Sequence, residues 1–403
     1  MFKLFLLTIS LVFGFSNTAI DYINELRQNS GLNILRHTNL LDNSSMNHLL
    51  YLKDKNIFSH KEFDKNNKYF TGETPTKRVN FLGHHGFALE NMSKGDSNAK
   101  MSIDNLFSAI YHRFSFLSPN IDEIGMAKQR TKDNKENIFV FNMANSYANQ
   151  VCKMANFQGF GRFYHGVCID KSKRIGSSNF LAARDFLFTK NPEFVTYPYN
   201  YQSDIQPYFL EEVPDPLPEC SISGYPISIG FNPLNFKRVN LQSFSLFKIT
   251  KSAFQEIKNV KILTKRNDKK FKKYQFTLMP LDMLDWGSRY LVLFKYRQND
   301  EDKEIRFHFS TRKLPYPSFI IDNNNKTLRL KANKKNYVFI KPKNCNARLK
   351  KTRVSYNASS NQVKSAIEKK FVNVISIYAH NLNGKTINVK VQNNLYDFKA
   401  RIE

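Results

Sequence analysis

Three residues in the first third of the chain have the types and surroundings to do chemistry. They are His60 in Phe58-Ser59-His60, Glu90 in Leu89-Glu90-Asn91-Met92, and His112 in Ser108-Ala109-Ile110-Tyr111-His112-Arg113. Two imidazoles and a carboxylate are donors that zinc prefers, and an open fourth position would hold water. A metal-bound water beside a carboxylate could attack an ester, an amide or a phosphate. On that reading His60 and His112 are the candidate metal ligands and Glu90 the candidate catalytic group. The same residue types can instead form a hydrogen-bonded network that orders a cleft with no metal and no turnover. Other catalytic signatures are absent from the sequence: it has no His-Glu-x-x-His run, no Gly-x-Ser-x-Gly elbow, no phosphate-cradling glycine loop and no Cys-x-x-Cys pair. Gly159-Phe160-Gly161 alone does not imply a nucleotide, and His84-His85, between Gly83 and Gly86, reads as an exposed loop pair. His48 and Trp286 are most simply core or strand residues.

The elements that must position these residues read as helices separated by loops. Asn17 or Thr18 can cap a helix with Ile20, Ile23 and Leu26 on one face, ending before Gly31. A second helix is expected after Asn43, with Met46, Leu49, Leu50 and Tyr51 available to one face, closing near Lys55. Thr74-Pro75 caps a short helix that Gly83 stops, and a fourth runs from about Ala99 to Tyr111, so that His112 falls at its end. Glu90 is expected in a loop element between helices, and Ile138-Phe139-Val140-Phe141 suits a buried strand.

Read in order, the segments around His60, Glu90, His112 and Glu123-Ile124-Gly125 resemble the CAP superfamily (cysteine-rich secretory proteins, antigen 5, pathogenesis-related 1) in its bacterial SCP-like form. The resemblance covers roughly residues 19–150 and implies an α/β fold, an α-β-α sandwich. It also implies that His60, Glu90 and His112 converge on one cleft, where the histidines can hold a divalent metal and the glutamate is a ligand or an orienting partner. One departure stands out. The family's eukaryotic members carry a second acidic residue before the last histidine, three residues after an aromatic; here Leu106 takes the aromatic position and Ala109 the acidic one. Asp104 and Glu123 are possible substitutes, though Glu123 belongs to the strand-entry motif. Without that carboxylate, Glu90 is a less secure general base.

Residues 1–16 read as a signal peptide, with Lys3, an apolar run from Leu4 to Phe13, and Gly14-Phe15-Ser16 as the cleavage region. The run is shorter than the ~20 residues of a membrane span. The mature chain, residues 17–150 in the first domain, is therefore expected to be periplasmic or secreted, with no transmembrane segment after cleavage. Residues 151–213, rich in Phe, Tyr and Asn, read as an irregular extension packed on that domain, and the prolines between Glu211 and Pro218 as a stiff linker. Periodicity then changes to alternation. Strands at 227–229, 241–247, 275–278, 290–296 and 305–309 argue for a β-sandwich over 214–315. Ser223 to Ile229, Met279-Pro280-Leu281 and Phe309-Ser310-Thr311 resemble the Ig-like module that follows the CAP domain in some bacterial proteins. A C-terminal β domain over 316–403 has strands near 327–331, 337–341, 372–379 and 386–391, with Asn383-Gly384 as a hairpin signal between the last two. All-β modules should thus follow the first domain.

Four cysteines in an exported chain permit disulfides. Cys152 and Cys168 flank a turn-rich stretch and are the favoured bridge; Cys220 and Cys345 are either free or bridge domains. The net charge of +27 is uneven: residues 316–403 hold 18 Lys and Arg against 4 Asp and Glu. Such a field attracts anionic polymers and surfaces. For an exported chain these are cell-envelope polymers or phospholipid headgroups sooner than nucleic acid, although Lys272-Lys273-Tyr274 and Lys334-Lys335-Asn336-Tyr337 interleave cations with aromatics. Exposed strand lysines also protect sheet edges, which is the plainer reading. Together these features point to an exported binding module whose cleft receives a peptide, lipid or glycan group, with Zn2+ or another divalent cation as a possible cofactor. The competing expectations are a metal-dependent hydrolase, peptidase-like, and a spacer with a vestigial cleft.

Overall fold

The computed structural model describes residues 18–403 except 324–325, 350–353, 358–361, 369 and 392–395. The expected signal peptide and Asn17 lie outside the described residues. No helix among the described residues is long and apolar enough to cross a membrane. The chain forms two compact units. The first comprises residues up to Tyr197 with Ile229–Val239 and Lys269–Gln275; the second comprises Pro198–Ser228, Asn240–Asp268 and Phe276–Glu403.

The first unit is built on helix α1 (18–29), strand β1 (Arg36–His37), α2 (Asn39–Lys55), α3 (Pro75–Phe81) and β2 (Ala88–Lys94). These are followed by α4 (Ala99–Ser108), α5 (Ile110–Phe116), β3 (Glu123–Arg130) and β4 (Asn137–Ala144). The sheet order is β1-β3-β4-β2, parallel only between β1 and β3, so β2 is an edge strand. Alternation along the strands sorts side chains to two faces. Met92, Ala127, Ile138 and Val140 meet Leu49, Tyr51 and Leu52 of α2 on one face. On the other, Phe141 packs edge-on against Phe116 of α5, and Ser93 bonds Ser102 of α4. Two helical layers thus sandwich the sheet.

Three local details differ from the sequence reading. Helix α2 starts at Asn39, because the Thr38 side chain accepts the Leu41 N–H and buried Leu41 extends the apolar face backward. Glu90 lies within strand β2 and not in a loop. The expected helix to Tyr111 is broken at Ala109, whose backbone is extended (φ −78°, ψ 114°). The Ala109 N–H still closes α4 on Asn105, whose carbonyl also accepts the Ser108 hydroxyl, and the chain restarts as α5. His112 is therefore inside a separate short helix.

After β4 come α6 (Ser146–Lys153), the two-stranded ladder β5 (Phe163–Tyr164) with β6 (Ile175–Gly176), and α7 (Ser177–Thr189). Cys152 and Cys168 form a disulfide within this segment.

The second unit is all-β. A five-stranded sheet is centred on Arg289–Gln298, which pairs antiparallel with both Asn240–Ile249 and Glu301–Thr311. A separate sandwich follows, with sheets of four strands each. One orders Ser318–Ile321, Lys335–Ile340, Val374–Ala379 and Val363–Ile367; the other Thr327–Leu330, Phe398–Ile402, Thr386–Val391 and Val354–Tyr356. Leu330, Val338, Ile340, Ile375, Ile387 and Ile402 fill its interior. Asn383-Gly384 is not a hairpin: 374–379 and 386–391 belong to opposite sheets, and buried Leu382 carries the chain across the core between them. Within this unit Cys220 and Cys345 are bridged, and Trp286 packs edge-on against Tyr208, Phe339 and Phe371.

Candidate functional site

The site is assembled beside edge strand β2, to which both helical layers contribute. Glu90 points to the α2 face, where its Oε1 accepts from His60 Nδ1 at 2.9 Å and lies 3.9 Å from His48 Nε2. Its Oε2 accepts from the Arg78 guanidinium at 2.6 Å. Asn91, the next residue, points to the other face and donates to the His112 carbonyl at 2.9 Å. One strand therefore fixes two histidines arriving from opposite layers, and their ring centroids lie 6.4 Å apart with the planes inclined at 29°. The His60 side chain is about half exposed, whereas Glu90 is buried.

Behind this pair is a charged network that the sequence reading did not assign. Arg78, on α3, is fully buried; besides Glu90 it holds the His60 carbonyl at 3.0 Å. Glu62 is also buried, accepting from His48 Nδ1 at 2.8 Å and from the backbone N–H groups of Thr71 and Gly72. His48 in turn donates through Nε2 to the Ser59 carbonyl, one residue before His60. Burial alone would push the Glu90 carboxyl up. The Arg78 guanidinium, the hydrogen bond from His60 and the neighbouring imidazoles overcome it and hold Glu90 down at about 2. His48 was legible as a polar residue on the buried stripe of α2 with Ser44, Ser45, Leu49 and Leu52; such a residue needs a partner. Arg78 gave less signal, because a seven-residue helix is too short for its faces to be told apart.

α5 is held by Arg113, also fully buried, which donates to the Phe107 carbonyl across the Ala109 break and stacks on Tyr197. Phe271 packs edge-on against Tyr111 and Phe114 of the same helix. Asp104 accepts from Tyr22 and Lys100. Glu123 pairs with Arg36 and stands 3.5 Å from His84 Nε2. His84 is correspondingly buried, not an exposed loop residue: it packs under the turn at Gly86, where a Cβ would lie 3.2 Å from its ring.

Each Glu90 oxygen accepts a hydrogen bond, Oε1 from His60 and Oε2 from Arg78, the arrangement of a carboxylate that orients an imidazole. Among the described residues no group of three or more His, Cys, Asp or Glu side chains is arranged to hold a metal ion.

A second feature lies in the C-terminal sandwich. On the outward face of its second sheet Arg329 stands opposite Arg401, and Lys399 lies between Thr327 and Asn388. Arg329, Lys399, Arg401 and Lys390 are all exposed. Like charges in register repel across strands, and Glu403, 3.4 Å from Arg329, offsets only part of this field.

Residues 20–143 match the family model described as the cysteine-rich secretory protein family, CAP. Solved structures similar to this chain include an outer surface protein from Borrelia burgdorferi: 21% identity, 32% of this chain and 89% of that one, TM-score 0.28. Another is an extracellular protein containing a SCP domain from Bacillus anthracis: 20% identity, 33% of this chain and 40% of that one, TM-score 0.28. The comparison with curated proteins finds no match.

Proposed function

Residues 20–143 form a CAP domain of the cysteine-rich secretory protein family, and on that premise we propose that the chain is an exported binding protein, periplasmic or secreted. Its cleft presents His60 and His112 to a peptide, lipid or glycan group of the envelope or its surroundings, directly or through a divalent cation such as Zn2+. The cation would supply Lewis acidity toward a ligand oxygen. His60, with its Nδ1 committed to Glu90, would offer Nε2 to the cleft. The cationic face around Arg329, Lys399 and Arg401 would hold the protein against an anionic polymer or surface.

The observation that carries the reading is the engagement of Glu90 by Arg78 and His60. A hydrolase using this cleft would ask Glu90 to take a proton from water. A carboxyl held at about 2 is too weak a base for that step near neutral pH. Orientation of an imidazole is what it is placed to do. The test is elemental analysis after exposure to zinc, comparing wild type with the His60→Ala/His112→Ala double variant. Stoichiometric zinc in the wild type and none in the double variant is expected. Zinc retained by the double variant would remove the cleft as the metal site. Chelator-sensitive hydrolysis by the wild type, lost in that variant, would replace the binding reading with the hydrolase.

A further inference from the structure

Gly159-Phe160-Gly161, which the cleft does not use, sits at the tip of an exposed, cross-braced loop of the first unit. Its base is tied three ways: the Cys152–Cys168 disulfide, the β5–β6 ladder, and backbone bonds from Phe157 to Arg174 and from Ser177 to Arg162. Beneath it Val151, Ile175 and Ala183 form a small core with the two cysteines. Above that core the apolar side chains point outward. Phe160 is fully exposed at 109% of its reference area, and Met154, Phe163 and Tyr164 are each more than one-third exposed. Gly161 adopts φ +118°, with nothing near its missing Cβ, which lets the turn close and thrusts Phe160 into solvent.

The charge of this segment is predominantly positive. Residues 151–176 hold five Lys and Arg against a single acidic residue, Asp170, and that carboxylate is occupied by the backbone and hydroxyl of Ser172. Arg174 lies over the Phe163 ring at 4.0 Å. Exposed aromatics in a segment rich in Lys and Arg are the composition that suits the boundary between lipid headgroups and acyl chains, where aromatic rings anchor and Lys and Arg meet phosphate. A preformed tip loses little freedom on docking.

We propose that this projection is an interfacial anchor for a bilayer containing anionic lipid. Phe160 enters the headgroup region, and Arg162, Lys171 and Lys173 meet the lipid phosphates. The proposal is independent of the histidine cleft and of the C-terminal cationic face.

The test is co-sedimentation of the purified chain with vesicles of phosphatidylcholine containing phosphatidylglycerol as the anionic component, against phosphatidylcholine alone. Binding to the mixed vesicles is expected, weakened by added salt. Phe160→Ser should lower partitioning by about tenfold or more, since it removes the most exposed ring of the tip. Lys171→Gln/Lys173→Gln should lower it further and flatten the salt dependence. The single native tryptophan, Trp286, is buried, so a Phe160→Trp variant reports on the tip, and its emission should shift to the blue with vesicles. Unaltered thermal melting of each variant establishes that the fold is intact, and unaltered zinc content separates this surface from the cleft. Equal partitioning of Phe160→Ser and wild type would overturn the proposal, as would an unshifted emission. So would a wild type that ignores vesicles but self-associates through Phe160, which would give the tip to a second copy of the chain.

Discussion

At the scale of single residues the molecule has put an ion pair where water cannot reach it. Arg78 and Glu90 are both buried, and removing either partner would strand the other, a loss of about 3–5 kcal/mol for buried pairs. The Glu90 pKa of about 2, below its ordinary 4.5, ties this pair to acid stability. Because the unfolded chain takes up this proton first as the pH falls, the contribution is fully present above about 4.5 and drains away toward about 2. Its size is on the order of 3 kcal/mol. Denaturant titrations across that window should therefore show a steep decline for wild type and a shallower one for Glu90→Gln; parallel declines would show that Glu90 does not titrate with folding. His60, Glu90 and His112 were legible in the sequence through their neighbours. Arg78 and Glu62 were not, because their roles depend on contacts that local pattern does not encode: Arg78 reaches strand β2 and Glu62 reaches helix α2.

At the scale of elements, the site depends on α2 lying tight against β3. Gly125 permits it: a Cβ there would come within 2.3 Å of the Asp42 nitrogen and 2.4 Å of the Leu41 carbonyl carbon, both backbone. Gly125→Ala must therefore move helix or strand, at a cost of about 1–3 kcal/mol or more. A drop in thermal midpoint with weaker zinc binding is expected, and an unchanged midpoint would mean that α2 has room the structure does not show. Most elements could be read from periodicity, since α2, α3 and β4 carry clear caps or apolar runs. The break at Ala109 could not. Alanine is a strong helix former, and the interruption goes with Arg113 clasping the Phe107 carbonyl. The Asn383-Gly384 turn misled for a related reason: turn chemistry specifies a reversal, whereas sheet membership is decided by which interior the next strand fills.

At the scale of the whole molecule, alternation identified all-β modules but not the links between distant segments. Cys220 and Cys345, 125 residues apart, close the largest covalent loop of the second unit. By loop entropy such a bridge is worth about 5 kcal/mol, against about 3 for the 16-residue Cys152–Cys168 loop. Cys220→Ser/Cys345→Ser should thus lower stability to denaturant more than Cys152→Ser/Cys168→Ser, and the reverse order would mean that loop length does not govern here. The function proposed for the molecule rests in the end on the paired imidazoles and the carboxylate that orients one of them. Calorimetric zinc titration of wild type, Glu90→Gln and His60→Ala/His112→Ala tests that most directly. One site per chain in the wild type, weakened about 10–100-fold in Glu90→Gln and abolished in the double variant, is the predicted result. A wild type that binds none would leave the cleft to meet its ligand without a cation, and a Glu90→Gln variant that binds zinc as tightly as wild type would contradict the account.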